Sequence, residues 1–251
     1  MISDKTTSSS VIDLLRTRAS VRNYNSDIVS EQMIQSILAA ARQAPTSSNL
    51  QAYSFIVVRD SEIKKCLVTL AGGQQHIIDA PVFIAICADI YRLSKAVECV
   101  GRTLAKGHLE MTMVACIDAA LVGMCASLSA DSLGLGTVMI GGMRNDPEGV
   151  AEQLGLPSGV FVAFGLCIGW PEFRPKAKPR LPEELVVHRE KYNQCSLEDG
   201  LTSYENKLSK YHREIGRNSD ELWAERVADQ FSVPKREKLL TILKSRGFGF
   251  E

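Results

Sequence analysis

The sequence has no surplus of either charge. Its 29 lysines and arginines are matched by 29 aspartates and glutamates. The basic excess expected of a nucleic-acid or membrane-surface protein is therefore missing, and neither partner is expected. It also has no cysteine pair spaced C-x-x-C, and its seven cysteines are an odd number. That argues against a disulfide framework and against a zinc site, and it favours free thiols in a reducing cytoplasm. Residues 1–10 hold no apolar h-region, so no signal peptide is expected. The most apolar stretch, 109–133, is interrupted by Glu110, Asp118 and Asp131. Its uncharged run of 12 residues falls short of the ~20 that span a bilayer. A buried helix is the expectation there. No H-E-x-x-H, G-x-S-x-G or clustered Cys/His pattern occurs, and the four histidines show no ligand spacing, so no metal site is expected.

What remains is an ordinary globular composition. The 251 residues are 45% apolar and 23% charged, enough for a sizeable core in one large domain or two intimate halves. Residues 1–10 are polar and read as a loose segment, 11–195 as the core, and 196–251 as a polar, helical C-terminal extension. Val11, Ile12, Leu14 and Leu15 fit one face of a short helix. Ser30 can cap a second, which must stop before Pro45. Strands are expected at 53–58, 81–88, 137–140 and 160–168, with the second continuous enough to be covered on both faces. Helices are expected at 62–70, 109–133, after the Asp146-Pro147 pair, and from Pro234 to Gly247. Small residues recur along 109–133, at Ala115, Cys116, Ala119, Ala120, Gly123, Ala126 and Ser127. They suit either close packing in the core or the centre of a dimer interface. Alternating strands and helices indicate an α+β or α/β sandwich, with helices on both faces of one sheet.

Four polar or glycine-bearing stretches could carry chemistry. In Arg18-x-Ser20-x-Arg22, alternate positions of an extended backbone point the same way, so two guanidiniums and a hydroxyl can converge on a phosphate. The run PTSSNLQ at 45–51 offers short polar side chains and free backbone amides for an anion or a heteroaromatic edge. In the run GLGTVMIGG at 134–142, Gly141 and Gly142 close a strand and leave room for a flat ligand; the spacing is not that of a dinucleotide-binding fingerprint. Lys178 and Arg180 sit on a proline-stiffened loop ending at Pro182. Singly, each stretch reads as well as a solvated turn, a plain loop or a linker.

Together and in this order, with the run GGQ at 72–74 and the run GWP at 169–171, they resemble the nitroreductase superfamily. The resemblance is closest to its oxygen-insensitive NADPH nitroreductase and flavin reductase branch, and it runs from about residue 10 to 251. It implies a mainly antiparallel sheet flanked by helices, a helical C-terminal extension, and a homodimer binding FMN at its interface. Carried onto this chain, it places Arg18, Ser20 and Arg22 at the phosphate end and pyrimidine edge of the flavin. Ser47 and Asn49 come from the neighbouring loop, Gln74 lies near the ring, and Ile140, Gly141 and Gly142 lie behind it. Lys178 and Arg180 complete the phosphate site. The implied reaction passes hydride from NADPH through flavin N5 to nitroaromatics, quinones or free flavin by a ping-pong route. The cofactor carries the chemistry, so no catalytic side chain is implied.

Many members of that branch have histidine and then arginine where this chain has Arg18 and Ala19, so one cation is moved or lost. Arg213 and Arg217 both compete for the branch's NADPH-binding arginine. His76, just past the GGQ run, reads either as a neighbour of the pocket or as a structural side chain. The same superfamily includes members that break down flavin or remove halogen, and a flavin-binding protein with little turnover is a further alternative.

Overall fold

The computed structural model describes residues 8–217 and 221–249. The chain forms two compact units. The first comprises residues 1–175 and 236–251, and the second 176–235. Of the segment expected to be loose, residues 1–7 lie outside the described residues, while Ser9 caps the first helix by accepting from Ile12 N.

The first unit is built on a four-stranded sheet. Its strands are β1 (Tyr53–Val58), β2 (Val82–Asp89), β3 (Gly136–Ile140) and β4 (Val160–Gly169), in spatial order β1-β2-β4-β3. All three pairings are antiparallel. β2 is buried along its whole length, as its unbroken apolar run requires. Its alternation divides the core. Val82, Ile84, Ile86 and Ala88 face one side, and Phe83, Ala85 and Cys87 the other.

On the first side lie α2 (Glu31–Ala41, capped by Ser30) and α6 (Leu109–Ser132). On the second lie α3 (Ser61–Leu70), α4 (His76–Asp79) and α7 (Pro147–Gln153). The unit also holds α1 (Ser10–Thr17), α5 (Tyr91–Glu98) and α10 (Leu239–Ser245). In β4 the pairing passes from Ile86↔Phe164 to Cys87↔Val162, leaving Ala163 as an extra residue. This bulge exchanges the parity of the strand, so that Phe161 and Ala163 share a face with Leu166 and Ile168.

The small residues of α6 divide by burial. Ala115, Ala119, Gly123 and Ala126 are buried toward the sheet. A Cβ on Gly123 would come within 2.5 Å of the Phe164 ring and 2.8 Å of Ile86 Cδ1. These four, with Ser127, therefore serve the core, whereas Ala120 on the same helix is exposed. The outward face instead carries Met113, Ile117 and Leu121, all exposed and four residues apart. α6 has the length and composition of a membrane-crossing helix, but ten of its residues, Asp118 and Asp131 among them, are buried inside the unit.

The last helix starts later than expected. Arg236 has φ +59, a left-handed conformation that a helix cannot include, so α10 begins at Leu239 rather than at Pro234. α4 and α5 were not anticipated from the sequence.

The second unit holds α8 (Leu197–Glu214) and α9 (Trp223–Phe231). The Glu205 carboxylate accepts from Trp223 N and Ala224 N at 2.8 and 3.0 Å, which fastens the start of α9 to α8. Tyr211 Oη donates to Lys176 O and Tyr204 Oη to Pro179 O, so the loop bearing Lys178 and Arg180 is tied to α8.

The thiols divide by burial. Cys87 and Cys167 are buried, whereas Cys66, Cys99 and Cys195 are exposed. Burial, assisted by Asp89, pushes the Cys87 thiol up to about 12; burial likewise raises Cys167 against the opposing pull of Lys64. Alkylation at pH 8 is expected to modify Cys66, Cys99 and Cys195 within minutes and to spare Cys87 and Cys167 until denaturant is added. Peptide mass mapping reads the result.

Candidate functional site

The first candidate stretch lies along the free edge of β3. α1 ends at Arg18, whose backbone turns extended with φ −61 and ψ 138. Ser20 then bridges Thr137, and Val21 N donates to Thr137 O at 2.9 Å. A Cβ on Gly136 would sit 2.7 Å from Val21 Cβ, so the glycine is what lets this segment lie flat on the strand. Val21 is buried and Arg22 exposed, as alternation requires.

The two guanidiniums have different surroundings. Arg18 Nε lies 3.4 Å from Asp131 Oδ2, with side chains only 17% and 2% exposed. Arg22 forms no ion pair among the described residues. Burial raises the Asp131 carboxyl, and the charge and hydrogen bond of Arg18 pull it back.

At the far end of β3, Ile140 is buried and the chain enters a 3-10 turn, Gly141–Arg144. Arg144 Nη1 donates to Ala163 O, the carbonyl of the bulge residue. The two glycines are not equivalent. A Cβ on Gly142 would collide with Gln74 Nε2 and come within 2.5 Å of Ala71 O, so the space at Gly142 is used by the chain's own GGQ turn. At Gly141 the nearest atom to an added Cβ is Arg144 Nη2 at 3.4 Å, so that side is open, while Gly141 O accepts from Arg236 Nη2 at 3.4 Å.

Ala71 O accepts from both Gln74 Nε2 and Asn145 Nδ2 at 3.1 Å. Asn145 Oδ1 accepts from Arg236 Nε at 2.8 Å. These bonds join the GGQ turn, the strand-closing turn and the start of the final segment. Lys64 Nζ donates to Ile78 O and Ala80 O at 3.1 and 2.7 Å and fixes the other end of the turn.

His76 lies inside this frame. Its Nε2 is buried and has no hydrogen-bond partner among the described residues. Burial lowers its pKa and the nearby Arg22 lowers it further, against Asp79. Arg22→Ala removes the second cause and leaves the first. The His76 titration midpoint, followed by NMR of its ring protons, is therefore expected to move up toward the ordinary imidazole value. An unmoved midpoint would place Arg22 away from His76.

Ser47 and Asn49 are elsewhere. They are exposed, in a loop attached to the middle of α6 through Asp118. Asp118 and Asp131 are 13 residues apart on that helix, or about 20 Å. Within one chain, then, Arg18, Ser20 and Arg22 lie along the start of β3 and Gln74, Ile140, Gly141 and Gly142 at its end, while the loop of Ser47 and Asn49 is bonded to the middle of α6. Lys178, Arg180, Arg213 and Arg217 belong to the second unit. Asn145, Arg236, Asp118 and Asp131 were not singled out as site residues. For the two aspartates a signal was present, since a carboxylate inside an apolar helix is costly unless it has a partner.

The Nitroreductase family profile matches residues 15–170, and that of the Nitroreductase family, C-terminal domain, matches 178–251. The chain is 37% identical to an oxygen-insensitive NADPH nitroreductase of Salmonella typhimurium over 241 residues, covering 96% of this chain and 98% of the relative. It is 36% identical to an FMN reductase [NAD(P)H] of Bacillus subtilis, covering 96% and 98%. Among solved structures, the NADPH:FMN oxidoreductase of Vibrio harveyi complexed with NAD+ superposes with a TM-score of 0.87 at 31% identity, covering 96% of this chain and 99% of that one. Nitroreductase A of Vibrio parahaemolyticus gives 0.90 at 30% identity, covering 97% and 100%.

Proposed function

Because the chain belongs to the nitroreductase family, we propose that it works as a homodimeric, cytoplasmic FMN enzyme whose flavin lies against β3. It is an NAD(P)H-dependent oxidoreductase that uses NADPH to reduce small electron-poor acceptors such as nitroaromatics, quinones and free flavin.

The observation that carries the placement is the grouping of Arg18, Ser20 and Arg22 on one edge of β3, close to the buried and unpartnered His76 Nε2. These residues fit FMN. A phosphate asks for fixed cations and a hydroxyl, which Arg18 and Ser20 offer, while Arg22, with no carboxylate partner among the described residues, is left to serve the polar edge of the ring. A ring edge rich in donors and acceptors would give His76 Nε2 the partner it lacks. Bound FMN supplies the hydride-accepting and hydride-donating centre, so the protein needs neither nucleophile nor metal.

The chain's own groups then orient and bias. Arg22, a fixed cation at the polar edge, favours added negative charge there. Gly141 leaves its Cβ side open to a flat ring, and Gln74 is held beside it by Ala71.

Ser47 and Asn49, whose loop is bonded to Asp118 about 20 Å along α6 from the Asp131 that pairs with Arg18, would reach the Arg18 end of such a site from a second copy. The exposed stripe of Met113, Ile117 and Leu121 is the surface on which two copies would meet. The three exposed free thiols suit a reducing compartment.

The test is the visible spectrum. Purified protein is expected to be yellow, to lose its visible flavin band anaerobically on NADPH, and to regain it on a quinone. Initial rates should give the parallel double-reciprocal lines of a ping-pong reaction. A colourless protein that takes up no added FMN would end the proposal.

A further inference from the structure

We infer that Asp118 and Arg92 are positioning residues that hold the loop at 46–51 in the shape that offers Ser47 and Asn49 to the flavin; the inference rests on the flavin reading above. The loop is costly to form. Ser48, Asn49 and Gln51 have φ of 47, 57 and 54, so three of four successive residues are left-handed and none is glycine. Glycine would adopt this backbone with less strain, so these side chains hold it only with bonds that offset that cost.

Packing does not hold the shape, because residues 47–51 are all exposed. Two charged groups hold it from opposite sides. Asp118, wholly buried on α6, accepts from Ser47 N through Oδ1 and from Ala52 N through Oδ2, both at 3.0 Å. A single carboxylate therefore fixes both ends of the loop at the spacing of its two oxygens.

Arg92, on α5, works on the carbonyl side. Its Nη1 donates to Gln51 O at 3.3 Å and its Nη2 to Tyr53 O at 2.7 Å. Arg92 is itself steadied by Asp89, whose Oδ2 lies 2.8 Å from Nη2 and whose backbone N donates to Ala52 O at 3.0 Å. An anion thus takes the amides and a cation takes the carbonyls of one strained turn. Both groups can bridge two positions at once, which an amide or an ammonium cannot do as well.

FMN titrated into flavin-free protein, read by quenching of its fluorescence, tests the inference in Asp118→Asn and in Arg92→Lys. Each is expected to weaken FMN binding about tenfold, the effect of losing roughly one net hydrogen bond's worth of preorganisation, with unchanged circular dichroism. If Asp118→Asn does not fold, Arg92→Lys decides the question by itself.

A structural role alone could weaken binding, so a second readout is needed. Differently tagged Asp118→Asn and Arg22→Ala chains are co-expressed and the mixed dimer is isolated. One of its two sites then combines an intact Arg22 with an intact loop. It is expected to bind one FMN per dimer at parental affinity. Parental affinity in both single variants overturns the inference. So does a mixed dimer that recovers no site. An Arg22→Ala homodimer that keeps its FMN instead overturns the flavin-site placement, and the inference falls with it.

Discussion

An Arg22→Ala protein is expected to purify with little or no colour and with FMN affinity lowered by about 10- to 100-fold. That range corresponds to one hydrogen-bonding charge, roughly 1.5–3 kcal/mol. The loss should be almost purely functional. Arg22 is exposed, has no ion-pair partner among the described residues, and follows the buried Val21 that anchors the segment to β3. Surface substitutions of this kind stay within about 0.5 kcal/mol in stability, so thermal unfolding of the flavin-free protein should hardly move. Arg22→Lys separates charge from shape. It keeps the cation and loses the two-pronged geometry, so its affinity should fall between the parent and the alanine variant. A fully flavinated Arg22→Ala protein would return this stretch to a solvated basic turn.

The sequence exposed the scaffold more fully than the site, and for a physical reason. Strands 53–58 and 160–168 were legible because β-branched and aromatic residues were bounded by turn formers, and the structure places β1 and β4 there within a residue. Ser30 and Asp146 announced their helices because N-caps are local; each side chain accepts an amide three residues on. α4 has four residues and α5 eight, too few for a periodic pattern to stand out.

The candidate site was legible as residue types and not as an arrangement. Nothing local says that Asp131 engages Arg18 while Arg22 is left unpaired. That depends on a contact spanning 113 positions. Nor could the strand-closing glycines be told apart. Only the docking of the GGQ turn shows that Gly142 is filled by Gln74 and Ala71 while Gly141 stays open. The left-handed Ser48, Asn49, Gln51 and Arg236 were invisible because glycine, the residue that usually marks such a backbone, is absent from all four.

Arg18→Ala should behave differently from its neighbour, because Arg18 has a structural partner. Asp131 is almost wholly buried near the C-terminal end of α6, where the helix dipole also opposes a negative charge. Removing the guanidinium leaves that carboxylate without its closest compensation, and among the described residues the weaker influence of Arg174 remains. Breaking a buried pair from one side costs about 3 kcal/mol at the lower end of the usual range. For a chain of this size that is about 6–12 °C in Tm.

The cost should depend on pH in a defined direction. Burial already holds the Asp131 pKa above its unfolded value, and the two largest opposing influences both come from Arg18. In Arg18→Ala the folded-state pKa rises further. The folded form then binds its proton more tightly than the unfolded form, so stability is lost as pH rises from the unfolded value through the folded one. The Tm deficit should accordingly be large at pH 8 and distinctly smaller at pH 5. It is to be measured on flavin-free protein so that ligand binding does not enter. Adding Asp131→Asn to Arg18→Ala removes the charge and should recover most of the deficit at pH 8 while changing little at pH 5. A deficit equal at both pH values, or one that the second substitution leaves in place, would mean that Arg18 stabilises the end of α6 by packing and not by its charge.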